Sequence, residues 1–131
     1  MKQHEQALLF LKKAGEDEAL LDAVLDEPRV ADSIFGFHCQ QAAEKLLKAW
    51  LSQFGARIQK THDLRALMNL LEAAGHKIPP ELCRVDELTP FAVEFRYDTV
   101  AFDERFDRRN ARELVRRLRA FVEQQVNPSS A

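Results

Sequence analysis

Residues that build ligand-grasping loops are scarce in this chain. Among its 131 residues the four glycines stand singly, at Gly15, Gly36, Gly55 and Gly75. No glycine-rich loop can therefore wrap backbone amides around a phosphate, which excludes P-loop nucleotide hydrolysis. Cysteine occurs only as Cys39 and Cys83, without the CxxC pairing of zinc and redox sites, and both read as small buried apolar residues. The histidines, His4, His38, His62 and His76, lie on different segments without the i, i+4 pairing of helical zinc motifs, so no metal is expected. Nucleophilic hydrolysis lacks its parts too, because Cys39 falls on an apolar helix face while His38 points elsewhere. No apolar run approaches the roughly 20 residues that span a bilayer. No signal peptide precedes the first helical pattern, so a cytoplasmic protein that does not engage membranes is expected. A formal net charge of -2 argues against wrapping duplex nucleic acid by bulk electrostatics.

What is present favours helix. Ala, Leu, Glu, Lys, Arg and Gln dominate while Tyr and Thr are scarce, so an all-α fold is predicted. A first helix from Gln3 to Leu25 carries Leu8, Leu11, Leu21 and Leu25 on an apolar stripe with Ala7, Ala14 and Val24, and Gly15 weakens its middle. A second, Val30 to Phe54, gathers Phe35, Cys39, Ala43, Leu46, Leu47, Trp50 and Phe54 on one side, with Gly55 as the left-handed residue that ends it. A third begins at Leu64, with Thr61 as cap and Asp63 favouring the helix dipole, and ends at Gly75. Pro79-Pro80 turns the chain into a fourth helical segment, Glu81 to Phe95, kinked or restarted at Thr89-Pro90. A last helix from Asp103 to Val126 turns Leu114, Val115, Leu118, Phe121 and Val122 inward. One domain over residues 1–126 with a flexible tail, 127–131, is expected.

Three polar groupings invite a function. On the second helix His38, Gln41, Lys45, Lys48 and Ser52 form a stripe opposite the apolar side, which reads as solvent-facing surface or as a dimer or ligand surface. On the last helix Arg105, Arg108, Arg109, Arg112, Arg116 and Arg119 share one arc, either a solvated face or a face for a phosphate-bearing partner. His62 beside Asp63 could act as a general base, although adjacent side chains seldom point together and a structural role at the helix start is the stronger reading.

Three blocks stand in order along the chain: Phe37-His38-Cys39-Gln40-Gln41-Ala42-Ala43-Glu44-Lys45-Leu46-Leu47-Lys48-Ala49, then Thr61-His62-Asp63-Leu64, then Phe95-Arg96-Tyr97-Asp98. Together they resemble the HEPN domain, whose name stands for higher eukaryotes and prokaryotes nucleotide-binding. The resemblance implies an up-and-down helical bundle of about five helices, a four-helix core plus a shorter one. It also implies a homodimer, for which Phe37, beside the polar arc of the second helix, is the candidate anchor, and a minimal nucleotidyltransferase partner in a toxin-antitoxin-like pair. Many family members are metal-independent ribonucleases that use Arg, four to six residues, then His near the start of the last long helix. This chain departs from that pattern, since no histidine follows Arg96 or the run Arg105 to Arg109. Arg57 and His62 satisfy the spacing, but in the loop before the third helix.

A non-catalytic nucleotide- or RNA-binding module without cofactor is therefore expected. Its ligand-binding candidates are Gln41, Lys45, Lys48, His62, Arg96 and Tyr97, the cations for phosphate and the Tyr97 ring for a base. Lys45 and Arg96 are expected to converge on one anion, an Arg96–Asp98 salt bridge being the structural alternative. A metal-independent endoribonuclease using His62 with Arg57 or Arg96 is the second reading.

Overall fold

The computed structural model describes residues 2–94 and 106–128. The described residues contain five α-helices and the 3-10 segment between the third and fourth of them, with no strand present. They are α1 (Lys2–Val24), α2 (Asp32–Gln53), α3 (Leu64–Ala73), the 3-10 segment Pro80–Leu88, α4 (Phe91–Glu94) and α5 (Arg108–Val126). The predicted all-α class is observed.

Helix α2 is the axis of the bundle and packs against every other described element. Alanines explain the close approach of α1: Ala7 and Ala14 on α1, and Ala42, Ala43 and Ala49 on α2, are wholly buried. Small side chains let two helix backbones come near and larger residues fill the remaining space. Phe35, Leu46, Leu47 and Trp50 of α2 meet Leu67 and Met68 of α3 and Val115, Leu118 and Val122 of α5 in one apolar cluster. At Gly36 an added Cβ would lie 2.3 Å from the Phe91 ring, so the absent side chain is what lets α4 lie against α2. Phe54, expected in the core, is 45% exposed, and Leu8 of the α1 stripe is also exposed.

Helix α2 is not two-faced as its periodicity suggested. Gln40, Glu44 and Ser52 are buried, and His38, Gln41, Lys45 and Lys48 are half-buried. With neighbours on nearly all sides, a helix offers no face to bulk water, and the polar residues must find partners within the protein. Ser52 Oγ, from the stripe read as surface, is buried without a hydrogen-bond partner.

Helix ends follow the expected chemistry with two exchanges of role. Gly55 (φ 73°) and Gly75 (φ 94°) are left-handed, as the helix-ending glycines require. Asp63, not Thr61, is the N-cap of α3, accepting from the amides of Arg65 and Ala66, while Thr61 Oγ1 accepts the amide of Asp63. Thr89 marks the predicted break, yet its hydroxyl accepts the amide of Leu64 and so serves α3. The stretch before the break is 3-10 rather than α. Helix α5 starts at Arg108 with Asp107 as cap, later than the expected Asp103.

Candidate functional site

Three of the α5 arginines, Arg108, Arg112 and Arg119, turn inward. Arg112 is buried and bonds Asp22 (Nε to Oδ1, 2.6 Å) and Glu18 (Nη1 to Oε1, 3.3 Å) on α1. Arg119 reaches the same Glu18 through Nε at 2.6 Å and donates from Nη2 to the Leu11 carbonyl. Arg108 closes the turn after α1 by donating to the carbonyls of Val24, Glu27 and Val30 and to Asp32, with its guanidinium over the Phe35 ring. Arg109 pairs with Asp26, Arg116 with Glu113 and Asp22, and Arg117 with Glu113, and Arg105 lies outside the described residues. The solvated-face reading holds for Arg109 and Arg116, which stay more than half exposed, and not for Arg108, Arg112 and Arg119. Most of the stripe is a seam of ion pairs, much of it joining α5 to α1 and the turn beyond.

Two carboxylates organise the polar side of α2. Asp17 of α1 takes Lys45 Nζ at 2.6 Å and His38 Nδ1 at 3.0 Å. Glu44, the residue before Lys45, lies with its side chain only 7% exposed between Lys48 Nζ and His62 Nδ1, each at 2.8 Å, and Gln40 Nε2 at 3.0 Å. Burial works against the Glu44 charge, but hydrogen bonds from Lys48, His62 and Gln40, with the positive charge of Lys48, outweigh it and hold the carboxyl below its ordinary pKa. Gln40 also donates to the His62 carbonyl (2.9 Å), and Gln41 donates to Gln40 Oε1 (2.8 Å). The loop that carries His62 is thereby tied to α2 at both backbone and side chain.

The candidate residues therefore divide. Lys48 and His62 meet at Glu44, Gln41 joins them through Gln40, and Lys45 belongs to the separate Asp17 pair. Arg96 and Tyr97 lie outside the described residues. Glu44, Gln40 and Asp17 were missed, although Gln40 and Glu44 stand four residues apart in the first motif block. A neighbouring carboxylate does orient His62, but it is Glu44 from another helix and not the adjacent Asp63, which is occupied as a cap. The His62 side chain is 58% exposed. With Nδ1 on a carboxylate, Nε2 is left to accept from or donate to a ligand.

Among the described residues no group of three or more His, Cys, Asp or Glu could hold a metal ion, and no helix is long and apolar enough to cross a membrane. Phe37 is half-buried, its ring edge-on to His38 at 5.3 Å.

A helical bundle whose buried polar groups tie a histidine-bearing loop to its central helix is the class that fold and site define. Compared with known families, the chain matches the HEPN domain over residues 7–127. The chain belongs to the HEPN domain family. Neither a curated protein nor a solved structure matches it.

Proposed function

We propose that this chain is a non-catalytic nucleotide- or RNA-binding module that works as a homodimer with a minimal nucleotidyltransferase in a toxin-antitoxin-like pair. The carrying observation is the exposed His62 ring, fixed through Nδ1 by the buried Glu44, which also holds Lys48 and, through Gln40, Gln41. An imidazole held in this way meets a ligand with its orientation already set, which lowers the ordering cost of binding. Arg96 and Tyr97 complete the proposed ligand set. Lys45 reaches a ligand by sharing its ammonium with Asp17.

Absence of catalysis is supported by the last helix. Metal-free RNA cleavage needs a proton acceptor near the 2'-hydroxyl and a cation on the phosphate. Helix α5 has no histidine, and its arginines are engaged in ion pairs. Titration of ATP and of a short single-stranded RNA into the protein tests the binding reading. His62→Ala is expected to weaken the ligand about tenfold, the value of one charge-assisted hydrogen bond. Unchanged affinity for both ligands would overturn the site.

One observation favours the ribonuclease reading: Glu44 and His62 form the carboxylate–imidazole pair of a general base. RNA cleavage by the wild type that Glu44→Gln and His62→Ala both abolish would establish it in place of the binding module.

A further inference from the structure

At the end of the bundle where α2 and α3 both finish, two helix caps lie side by side. In α2 the amides of Gly55 and Ala56 bond the carbonyls of Ser52 and Leu51, and in α3 those of Gly75 and His76 bond Glu72 and Leu71. Both are the two-bond cap that a left-handed glycine makes possible, and they satisfy the last carbonyls without help from side chains. Phe54, the final residue before Gly55, is nevertheless 45% exposed and lies flat against the His76 ring, centroids 3.7 Å apart and planes 26° from parallel. Trp50 lies beneath, its centroid 5.7 Å from that of His76. Neither cap needs the Phe54 ring.

Cations without an ion pair stand in the loops that follow the two rings. Arg57 is the one arginine among the described residues without an ion pair. From Phe54 to His62 the chain carries Arg57, Lys60 and His62 and no acid. Lys60 and Lys77 are exposed and likewise unpaired. Arg57 lies three residues beyond Phe54, and Lys77 directly follows His76, so each ring has a cation on its own loop. A cleft of about 610 Å³ opens beside His76, lined among others by Lys77, Ile78, Pro79 and Glu72, the last held by Arg65 at 3.7 Å.

We propose that the Phe54–His76 stack is a platform for an unpaired base of single-stranded RNA, with Arg57 and Lys77 taking the flanking phosphates. This rests on the nucleic-acid reading above but assigns a second surface, separate from the Glu44–His62 pair. A flat aromatic surface bordered by free cations is the combination that sequence-tolerant single-strand binding uses, since every base has a face to stack and every nucleotide a phosphate. An apolar protein segment would bury the ring but would leave the unpaired cations without counter-charge.

The test is fluorescence anisotropy with a fluorescein-labelled 12-nucleotide oligouridine. Quenching of Trp50, the only tryptophan in the chain, serves as the local reporter. Phe54→Ala is expected to weaken binding roughly tenfold and Phe54→Tyr to restore it, as base stacking predicts. Arg57→Gln and Lys77→Gln should each lower the slope of log affinity against log salt by about 0.7. Circular dichroism checks that each variant keeps its helices. No RNA binding by the wild type, full affinity in Phe54→Ala, or equal competition by polyglutamate, which has charge but no bases, would each overturn the platform. His62→Ala titrated with ATP separates this surface from the earlier site. Lost ATP affinity with full RNA affinity in Phe54→Ala overturns the platform and leaves the earlier reading standing, and the reverse pattern supports the platform while removing the His62 site.

Discussion

Glu44 allows a prediction to be worked from its surroundings. Replacing it with Ala removes one nearly inaccessible carboxylate that three donors share, and Lys48, whose side chain is 12% exposed, keeps its charge with no partner. Breaking a buried ion pair from one side costs about 3–5 kcal/mol. Water reaches this site past the exposed His62 ring and solvates part of the stranded ammonium, so the lower end, about 3 kcal/mol, is expected. For a chain of this length that is a fall in Tm of roughly 10–15 °C. Urea unfolding followed by circular dichroism and by Trp50 fluorescence measures it. Glu44→Ala combined with Lys48→Met, which removes the stranded charge, should recover about 2 kcal/mol, because an ion pair replaced by apolar groups is often close to neutral. The pH dependence has a fixed sign. The folded pKa of Glu44 is depressed, so its contribution is complete above the ordinary carboxylate range and is lost as pH falls through the folded value. The gap between wild type and Glu44→Ala should therefore narrow in acid. A loss below 1 kcal/mol at neutral pH, or a double variant no more stable than the single one, would refute the reasoning.

Other expectations are simpler. Cys39 is buried and its thiol is pushed up to about 12, so a thiol reagent should modify the half-buried Cys83 in the native protein and reach Cys39 only on unfolding. Fast reaction of both would contradict the core. Gly36→Ala should destabilise by about 1–3 kcal/mol through collision with Phe91, and a neutral result in urea unfolding would show that α4 yields easily. Asp63→Ala removes the α3 cap and should cost about 1 kcal/mol, whereas Thr61→Ala should cost less. The reverse order in thermal melts would restore Thr61 as the cap.

Helix positions were legible in the sequence because their causes are local. Gly55 and Gly75 end helices by backbone geometry that a single residue type favours, and the alternation of apolar residues on α2 marks a core face from spacing alone. The break at Thr89-Pro90 was visible for the same reason, but the 3-10 geometry ahead of it was not, since Pro80 starts either helix type equally well. Partner identity was illegible. The adjacency of His62 and Asp63 suggested a pair, yet Glu44, far off in sequence, holds the ring. Arg112 and Arg119 look like surface arginines on a helical wheel because a wheel cannot show the acids of α1. The Gln41–Lys45–Lys48 stripe misled for the same reason: periodicity separates polar from apolar faces but not water from a neighbouring helix.

The ion-pair seam between α1 and α5 has a consequence for how the chain is made. Glu18 and Asp22 are synthesised about 90 residues before Arg112 and 101 residues before Arg119 can reach Glu18. At 5–20 residues per second the ribosome takes roughly 5–20 s to cover that distance. During this interval α1 and α2 can meet through their alanines, but Glu18 has no cation to bury against and stays hydrated. The nascent helical pair lacks these ion pairs until α5 emerges, so it is α5 that fastens α1.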